Sequence, residues 1–528
     1  MRFLQLIYLK DFFSKISLKV LFILYLIASL FGIFSHVLWR DEMQGWLVAM
    51  GSKNIFELWT NNAPSGHPII YPLLTYISSR IYDKPLSMQL MQWSLAAICI
   101  FMFLRWAPFP KFQKVLFVFG YFPFWEYCLI SRHYVVIQLL TFIGILFITK
   151  KKYSFLGMSF LVALLLNTHA LAWSIAIGLF AAMVNDLNDQ KLIRDRFKSS
   201  INYFECLISA VLLSVATWLS LNSLFQTSRN IDSTSIDINL RSVLVAFGRY
   251  LGGSILIVPD SSRWIDLLMA ATMSVLFIIF TSIYIYNSRK ALVFYLASTF
   301  SLLGFNAAIY SGEGSRHFGL YFIIFIASIW IYKSDHSVLQ SRPIAKVKAL
   351  ALIESNVKSK FSLFLSVILA IHFFAGIHRV FLDMIYPYSA SKEVATFIRS
   401  SEYVNWPLFG TRDVELSAIS GYLEKGIYYP EIERLGTFTE WINRSQTLSR
   451  ENSLIYIEDY MDKHKDIDSV LAILSRKSRL RFDFRSGDLL LREGISISLV
   501  EKFLHSYNKP ERYYLYEVRR NLNPLNTQ

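Results

Sequence analysis

Charge is what this 528-residue chain has least of: Asp, Glu, Lys and Arg together make up only 17% of it. Ordinary soluble domains carry about 25%. Cysteine is also scarce. Cys99, Cys128 and Cys206 are all there are, each in or near an apolar run, and none lies in the long polar tail. That excludes a disulfide-stapled secreted module, and no Cys-x-x-Cys or Cys/His zinc spacing is present. No Gly-x-Gly-x-x-Gly follows a strand-like run and no P-loop occurs, so a soluble nucleotide-sugar domain is not visible. Repeats of fixed period and low-complexity tracts are missing as well.

Apolar residues fill the space: 54% of the chain is hydrophobic and 16% aromatic, with a mean hydropathy of +0.40. Long uncharged runs at that composition mean an integral membrane protein, not a disordered chain or a cytosolic enzyme. The net charge of +15 follows from topology, because Lys and Arg collect in cytoplasmic loops. No nucleic-acid partner is implied. Lys10, Lys15 and Lys19 precede the first apolar run and no small-residue cleavage site follows it, so the first helix is expected to be retained.

A span needs about 20 mostly apolar residues. Eleven runs qualify, near 19–38, 88–105, 114–131, 133–149, 153–168, 170–187, 203–222, 264–287, 291–310, 317–332 and 361–381. Segment 68–82 is too short and too broken by Pro and Ser, and reads as an amphipathic helix at the membrane surface. With the N-terminus in the cytoplasm, the inner loops receive Lys150–Lys152, the Lys191–Lys198 cluster and the basic series from Lys333 to Lys360. The outer loops are then poor in Lys and Arg, as the distribution rule requires. An odd number of spans leaves the C-terminal tail outside. The tail, 382–528, has ordinary polarity and reads as a small α/β domain. Glu415–Leu423 and Ile467–Leu474 are expected as helices; Ser453–Ile457, Asp488–Leu491 and Tyr513–Val518 as strands.

In this topology the unusual polar residues gather at outer span ends. Trp39-Arg40-Asp41-Glu42 follows the first span, one turn above His36, and Ser65-Gly66-His67-Pro68 comes later in the same loop. The third span ends near Glu126 and leads to Ser131-Arg132-His133-Tyr134. The fifth ends at Asn167-Thr168-His169. The ninth runs into Gly312-Glu313-Gly314-Ser315-Arg316-His317. One polar site assembled from several helix ends is expected at the outer interface. A carboxylate there can take a proton from an acceptor hydroxyl. Clustered Arg and His can neutralise a phosphate, Arg bidentately, and so stabilise it as a leaving group.

These segments carry a resemblance. Trp39 to Ala49 (WRDEMQGWLVA) followed by Gly66 to Tyr71 (GHPIIY) resembles the first outer loop of GT-C glycosyltransferases, the superfamily of protein O-mannosyltransferases and aminoarabinose transferases. Ser131-Arg132-His133-Tyr134 is similar to the Arg-x-Tyr segment after that family's third span. The resemblance covers roughly 20–335 and is strongest over 39–72.

It implies a polytopic α-helical membrane module with a GT-C-like fold over 1–381, its catalytic first outer loop at 39–87, and an extracytoplasmic α/β domain over 382–528. It further implies a polyprenyl-phosphate-linked sugar donor and inverting hexosyl or pentosyl transfer to a glycan, lipid or protein acceptor. By position, Asp41 would be the catalytic carboxylate and Glu42 would assist it. His67, Arg132, His133, His169, Arg316 and His317 would bind the donor phosphate or substrate. Many members carry Lys before the Pro where this chain has His67. The family's second acidic residue has two candidates here, Glu126 and Glu313; Glu126 reads either as functional or as paired with Arg132. Some members bind a divalent metal near the acidic pair, and the set Asp41, Glu42, His67 and His169 could hold one here; no other cofactor is implied. A bacterial inner membrane is the expected location, in contact with membrane lipids. Two rival readings stand beside the enzyme: a flippase for lipid-linked sugars, which should show inverted repeats and midplane charges, and a non-catalytic subunit of a polysaccharide export complex.

Overall fold

The computed structural model describes residues 16–150, 154–187, 200–228, 238–257, 263–308, 315–335, 348–441, 444, 453–482, 488–491 and 494–520. Glu313 and most of the basic loop residues therefore lie outside the described residues.

Among the described residues seven helices are long and apolar enough to cross a membrane: Leu18–Ser35, Leu86–Trp106, Tyr203–Phe225, Trp264–Ile285, Arg289–Ala308, Arg316–Ser334 and Leu352–Ile385. Shorter apolar helices at Tyr134–Lys150, Phe155–Leu166 and Ala172–Asn185 occupy three further expected spans. The protein is an integral, multi-pass membrane protein. Expectation and structure part at 114–131. The helix Lys111–Val118 stops, and a π-helical turn, Tyr121–Glu126, follows Gly120. Pro123 lies inside this turn and has no N–H to continue an α-helical ladder. The broken backbone is itself packed against. A Cβ on Gly376 would fall 2.7 Å from the Gly120 carbonyl carbon and 2.9 Å from the Tyr121 nitrogen, so only glycine lets the long helix Lys348–Ile385 approach there. The expected span 361–381 is one part of that 38-residue helix, about 57 Å long at 1.5 Å per residue.

An amphipathic helix, Leu240–Arg249, continues into a second π-helical segment, Tyr250–Leu256. No element was expected over these residues from the sequence. The segment is held by the Tyr250 and Tyr295 hydroxyls at 2.6 Å and by the His372 ring 3.0 Å from the Ile255 carbonyl.

The chain forms two compact units. The first comprises Met1–Phe31, Gly66–Tyr71 and Gln89–Val380; the second Gly32–Ser65, Pro72–Met88 and Phe381–Gln528. Segment 68–82 is helical as expected, over Ile70–Ile81.

The second unit contains a seven-stranded sheet of β1 (Leu408–Gly410), β2 (Ile427–Tyr429), β3 (Arg434–Gly436), β4 (Ser469–Ser475), β5 (Leu489–Leu490), β6 (Ile495–Phe503) and β7 (Tyr513–Arg520). The strand order is β3-β2-β1-β4-β7-β6-β5. β1 runs parallel to β2 and β4, and the remaining pairs are antiparallel. Leu471 and Ile473 of β4 join Val394, Ile398, Leu416 and Ile419 in one core, while Val470, Ala472 and Leu474 join Ile457 and Met461 in the other. Here two expectations fail. Most of Ile467–Leu474 is strand β4, Ser469–Ser475, not a helix: a strand buried on both faces is apolar throughout and loses its period-two signature. Ser453–Ile457 opens the helix Ser453–Lys463, whose buried Ile457, Tyr460 and Met461 recur at helical spacing. The helix over Glu415–Leu423 and the strands at 488–491 and 513–518 are present as expected.

Candidate active site

Four segments of the first unit bring expected residues together: the turn before Ile70, the link into Tyr134–Lys150, the link into Ala172–Leu187, and the start of Ser315–Ser334. Gly66 has φ of 72°, a left-handed turn that glycine adopts without strain. The Ile70 N–H then donates to the Asn167 carbonyl at 3.1 Å, pinning two of the segments to each other. The His67 ring centroid lies 4.7 Å from that of His133 and 5.3 Å from that of His169. His133 and His169 are 5.5 Å apart, and His169 and His317 are 6.2 Å apart. Four histidines from four segments thus form one cluster.

Tyrosines frame it. Tyr71 lies 4.7 Å from His133, and Tyr134 lies 5.4 Å from His169 and 5.9 Å from His317. The Tyr71 hydroxyl donates to Gln92 Oε1 at 3.1 Å. Gln92 Nε2 donates to the Tyr127 and Ile130 carbonyls, each at 2.9 Å, holding the turn ahead of Arg132. The Tyr127 hydroxyl donates to the Arg316 carbonyl at 3.1 Å. A Cβ on Gly319 would overlap the Tyr127 hydroxyl and the Phe122 ring, so glycine sets how closely the Arg316–His317 helix start can come.

The arginines of this cluster act on its imidazoles. Burial first, then Arg132, His317 and Arg316, push His67 down to about 3. Burial, with His67 and the same arginines, also drives His169 well below its usual value. The Leu171 N–H donates to His169 Nδ1 at 3.1 Å, which leaves the proton of the neutral ring on Nε2. His133 is buried, and neither of its ring nitrogens has a hydrogen-bond partner among the described residues. A buried polar group in that condition usually meets a water, an ion or a ligand. Neutral His67, His133 and His169 thus lie beside the Arg132 and Arg316 guanidiniums, a set of groups suited to an anion.

Glu126 ends the π-helical turn, buried, and accepts the Tyr121 hydroxyl at 3.1 Å. Among the described residues no group of three or more His, Cys, Asp or Glu side chains is arranged to hold a metal.

Asp41 and Glu42 belong to the second unit, on the first turn of the helix Arg40–Gly51. Their environments differ. Glu42 is buried; its Oε2 lies 2.9 Å from His36 Nε2 and accepts the Trp39 N–H at 3.4 Å. His36 Nδ1 lies 2.7 Å from Asp383 Oδ2. Asp41 is partly open, with its Oδ1 3.5 Å from Arg40 Nε. The Arg40 N–H points between both carboxylate oxygens of Glu511, each at 3.3 Å, and Asn508 Nδ2 donates to Glu511 at 2.9 Å. Further along, the Leu38 N–H donates to the Tyr422 hydroxyl at 2.9 Å, and Gln44 exchanges hydrogen bonds of 3.0 and 2.8 Å with Thr439. Residues far along the chain therefore fix the helix that carries Asp41. Asp383, Tyr422 and Glu511 had no sequence signal, since they lie hundreds of positions from the residues they hold. His36 did, by its place one turn before Asp41.

A polytopic helical membrane module joined to a small α/β sheet domain is a fold known from solved structures. One such structure is ArnT from Cupriavidus metallidurans bound to undecaprenyl phosphate, similar at a TM-score of 0.50 and 12% identity, over 96% of this chain and 99% of that one. The apo state of that ArnT gives 0.49 and 11%, over 94% and 97%. No protein-family model matches the chain, and no curated protein matches it either.

Proposed function

We propose that this protein is a membrane glycosyltransferase that takes a sugar from a polyprenyl-phosphate carrier at the outer face of the membrane and passes it to a glycan, lipid or protein acceptor. The observation that carries the reading is the His67, Arg132, His133, His169, Arg316 and His317 cluster. It is a buried set of imidazoles at helix ends under the positive field of two arginines, chemistry that suits a phosphate. The ArnT whose fold this chain shares was solved with undecaprenyl phosphate, an anionic ligand.

In the reaction, an acceptor hydroxyl attacks the anomeric carbon and its proton passes to the Asp41 carboxylate. The bond from that carbon to the phosphate oxygen breaks, and the phosphate leaves with the electron pair. Arg132 and Arg316 neutralise the charge that develops, with imidazole N–H groups donating beside them. Attack opposite the leaving phosphate inverts the anomeric centre. Glu42 assists as a positioning residue: its carboxylate ties the start of the Asp41 helix to His36. The N-terminus is assigned to the cytoplasm, the C-terminal domain to the outer side and the protein to a bacterial inner membrane, because that orientation puts the basic loops inside.

The test uses purified full-length protein in nanodiscs, a panel of polyprenyl-phosphate sugars, and membrane extract as the source of acceptor. Release of free polyprenyl phosphate, followed by mass spectrometry, is expected for wild type and not for Asp41→Asn. No release with any donor, from folded protein, would reject the transferase reading and favour movement of the same lipids between leaflets.

A further inference from the structure

A second site lies within the second unit, apart from the acidic pair. An open groove of about 560 Å³ is bordered by Val37 and Pro387. These positions lie just beyond Ser35 and Ile385, where the first and last spanning helices end. The groove is therefore at the level where a bilayer gives way to water. Its volume falls in the range of small-molecule sites, about 300–1,000 Å³.

The walls have two characters. The helix Ser391–Ser400 presents Lys392 and Thr396, four apart and so on one face, with Glu393 beside them; His505 closes the other side. The floor is aromatic: Phe397 and Phe503 pack edge to face with centroids 5.5 Å apart. The His505 ring lies 4.9 Å from Tyr386, which begins a run of exposed apolar side chains through Ile385, Met384 and Phe381 down the end of the spanning helix. A molecule in the groove thus meets polar groups at one end and a lipid-facing surface at the other.

We propose that this groove holds the headgroup of a membrane phospholipid that carries both a phosphate and a primary amine, with its acyl chains on the Phe381–Tyr386 surface. Lys392 and His505 donate to the phosphate. Glu393 accepts from the amine. A headgroup with a phosphate and no amine leaves Glu393 unmatched against like charge, and a quaternary amine has no N–H to give it; both are selected against. The site is independent of the transferase reading, and lipid binding tests it without any turnover.

The experiment uses the full chain, stripped of lipid in detergent and titrated with short-chain phosphatidylethanolamine, phosphatidylglycerol or phosphatidylcholine under native mass spectrometry. Wild type is expected to retain the ethanolamine lipid roughly tenfold better than the other two. Lys392→Glu should lower that retention by about tenfold. Glu393→Gln should erase the preference over phosphatidylglycerol, and Thr396→Trp, which fills the groove, should abolish specific retention. Lys465→Glu, an exposed charge outside the groove, should change nothing. Equal retention of all three lipids by wild type, or full retention by Thr396→Trp, would overturn the proposal.

Discussion

Replacing His36 by leucine should destabilise the second unit more than its removal of one ring suggests. His36 lies between Asp383 at 2.7 Å and Glu42 at 2.9 Å, and both contacts are shielded from solvent. Burial by itself lowers the His36 pKa, but Asp383 and then Glu42 outweigh it and raise it to about 10. The ring is therefore a cation at neutral pH, held between the two carboxylates. Removing one member of a buried charge set leaves the others uncompensated, at a cost of about 3–5 kcal/mol. At roughly 2–4 °C per kcal/mol for a unit of this size, the loss in Tm is about 6–20 °C. The sign with pH follows from linkage. The folded value lies above the unfolded one near 6.5, so the stabilisation is complete below that pH and is lost as pH rises through about 10. The assay is thermal unfolding of detergent-solubilised protein between pH 6 and 10. His36→Leu should unfold early at pH 6 to 7 and approach wild type towards pH 10. The neutralised triple variant His36→Gln, Glu42→Gln, Asp383→Asn should recover most of the loss. A His36→Leu midpoint within about 2 °C of wild type at pH 7 would refute the reasoning, since it would mean that the carboxylates do not depend on the imidazolium.

Other consequences are as direct. Asp41→Asn should lower sugar transfer by about 10²–10⁴-fold, the usual contribution of a positioned base, with an unchanged melting midpoint because Asp41 is partly open. Arg132→Ala should weaken binding of polyprenyl phosphate by roughly 10–100-fold, as loss of a charged hydrogen bond of about 1.5–3 kcal/mol implies; titration calorimetry measures it. Because His67 is held down to about 3 by burial and its cationic neighbours, a bound phosphate should raise its pKa. Binding then takes up protons and strengthens as pH falls, which calorimetry in buffers of different ionisation enthalpy detects. Burial pushes Glu511 up to about 8. Its folded value exceeds its unfolded one, so wild type should lose stability as pH rises from about 4.5 to 8, and Glu511→Gln should flatten that slope.

The sequence by itself determined the class of molecule and much of the cation cluster. Hydrophobic runs of spanning length need no partner to be recognised, because the bilayer sets their length and a helix satisfies its own backbone. Arg132-His133, His169 and Arg316-His317 were legible because charged and imidazole side chains at span ends are conspicuous against apolar runs. Tertiary structure alone decided the rest. The break at Gly120 depends on a glycine more than 250 positions later, Gly376, that lets a helix press against it. Strand β4 is a strand because both of its faces are covered by other elements, and an all-apolar pentad carries no period to say so. The difference between Asp41, which is partly open, and Glu42, which is buried, lies in no local pattern. It is set by His36, Asp383 and Glu511, which reach the same helix start from both ends of the chain. Side-chain chemistry is written residue by residue, but burial and partnership are properties of the folded chain.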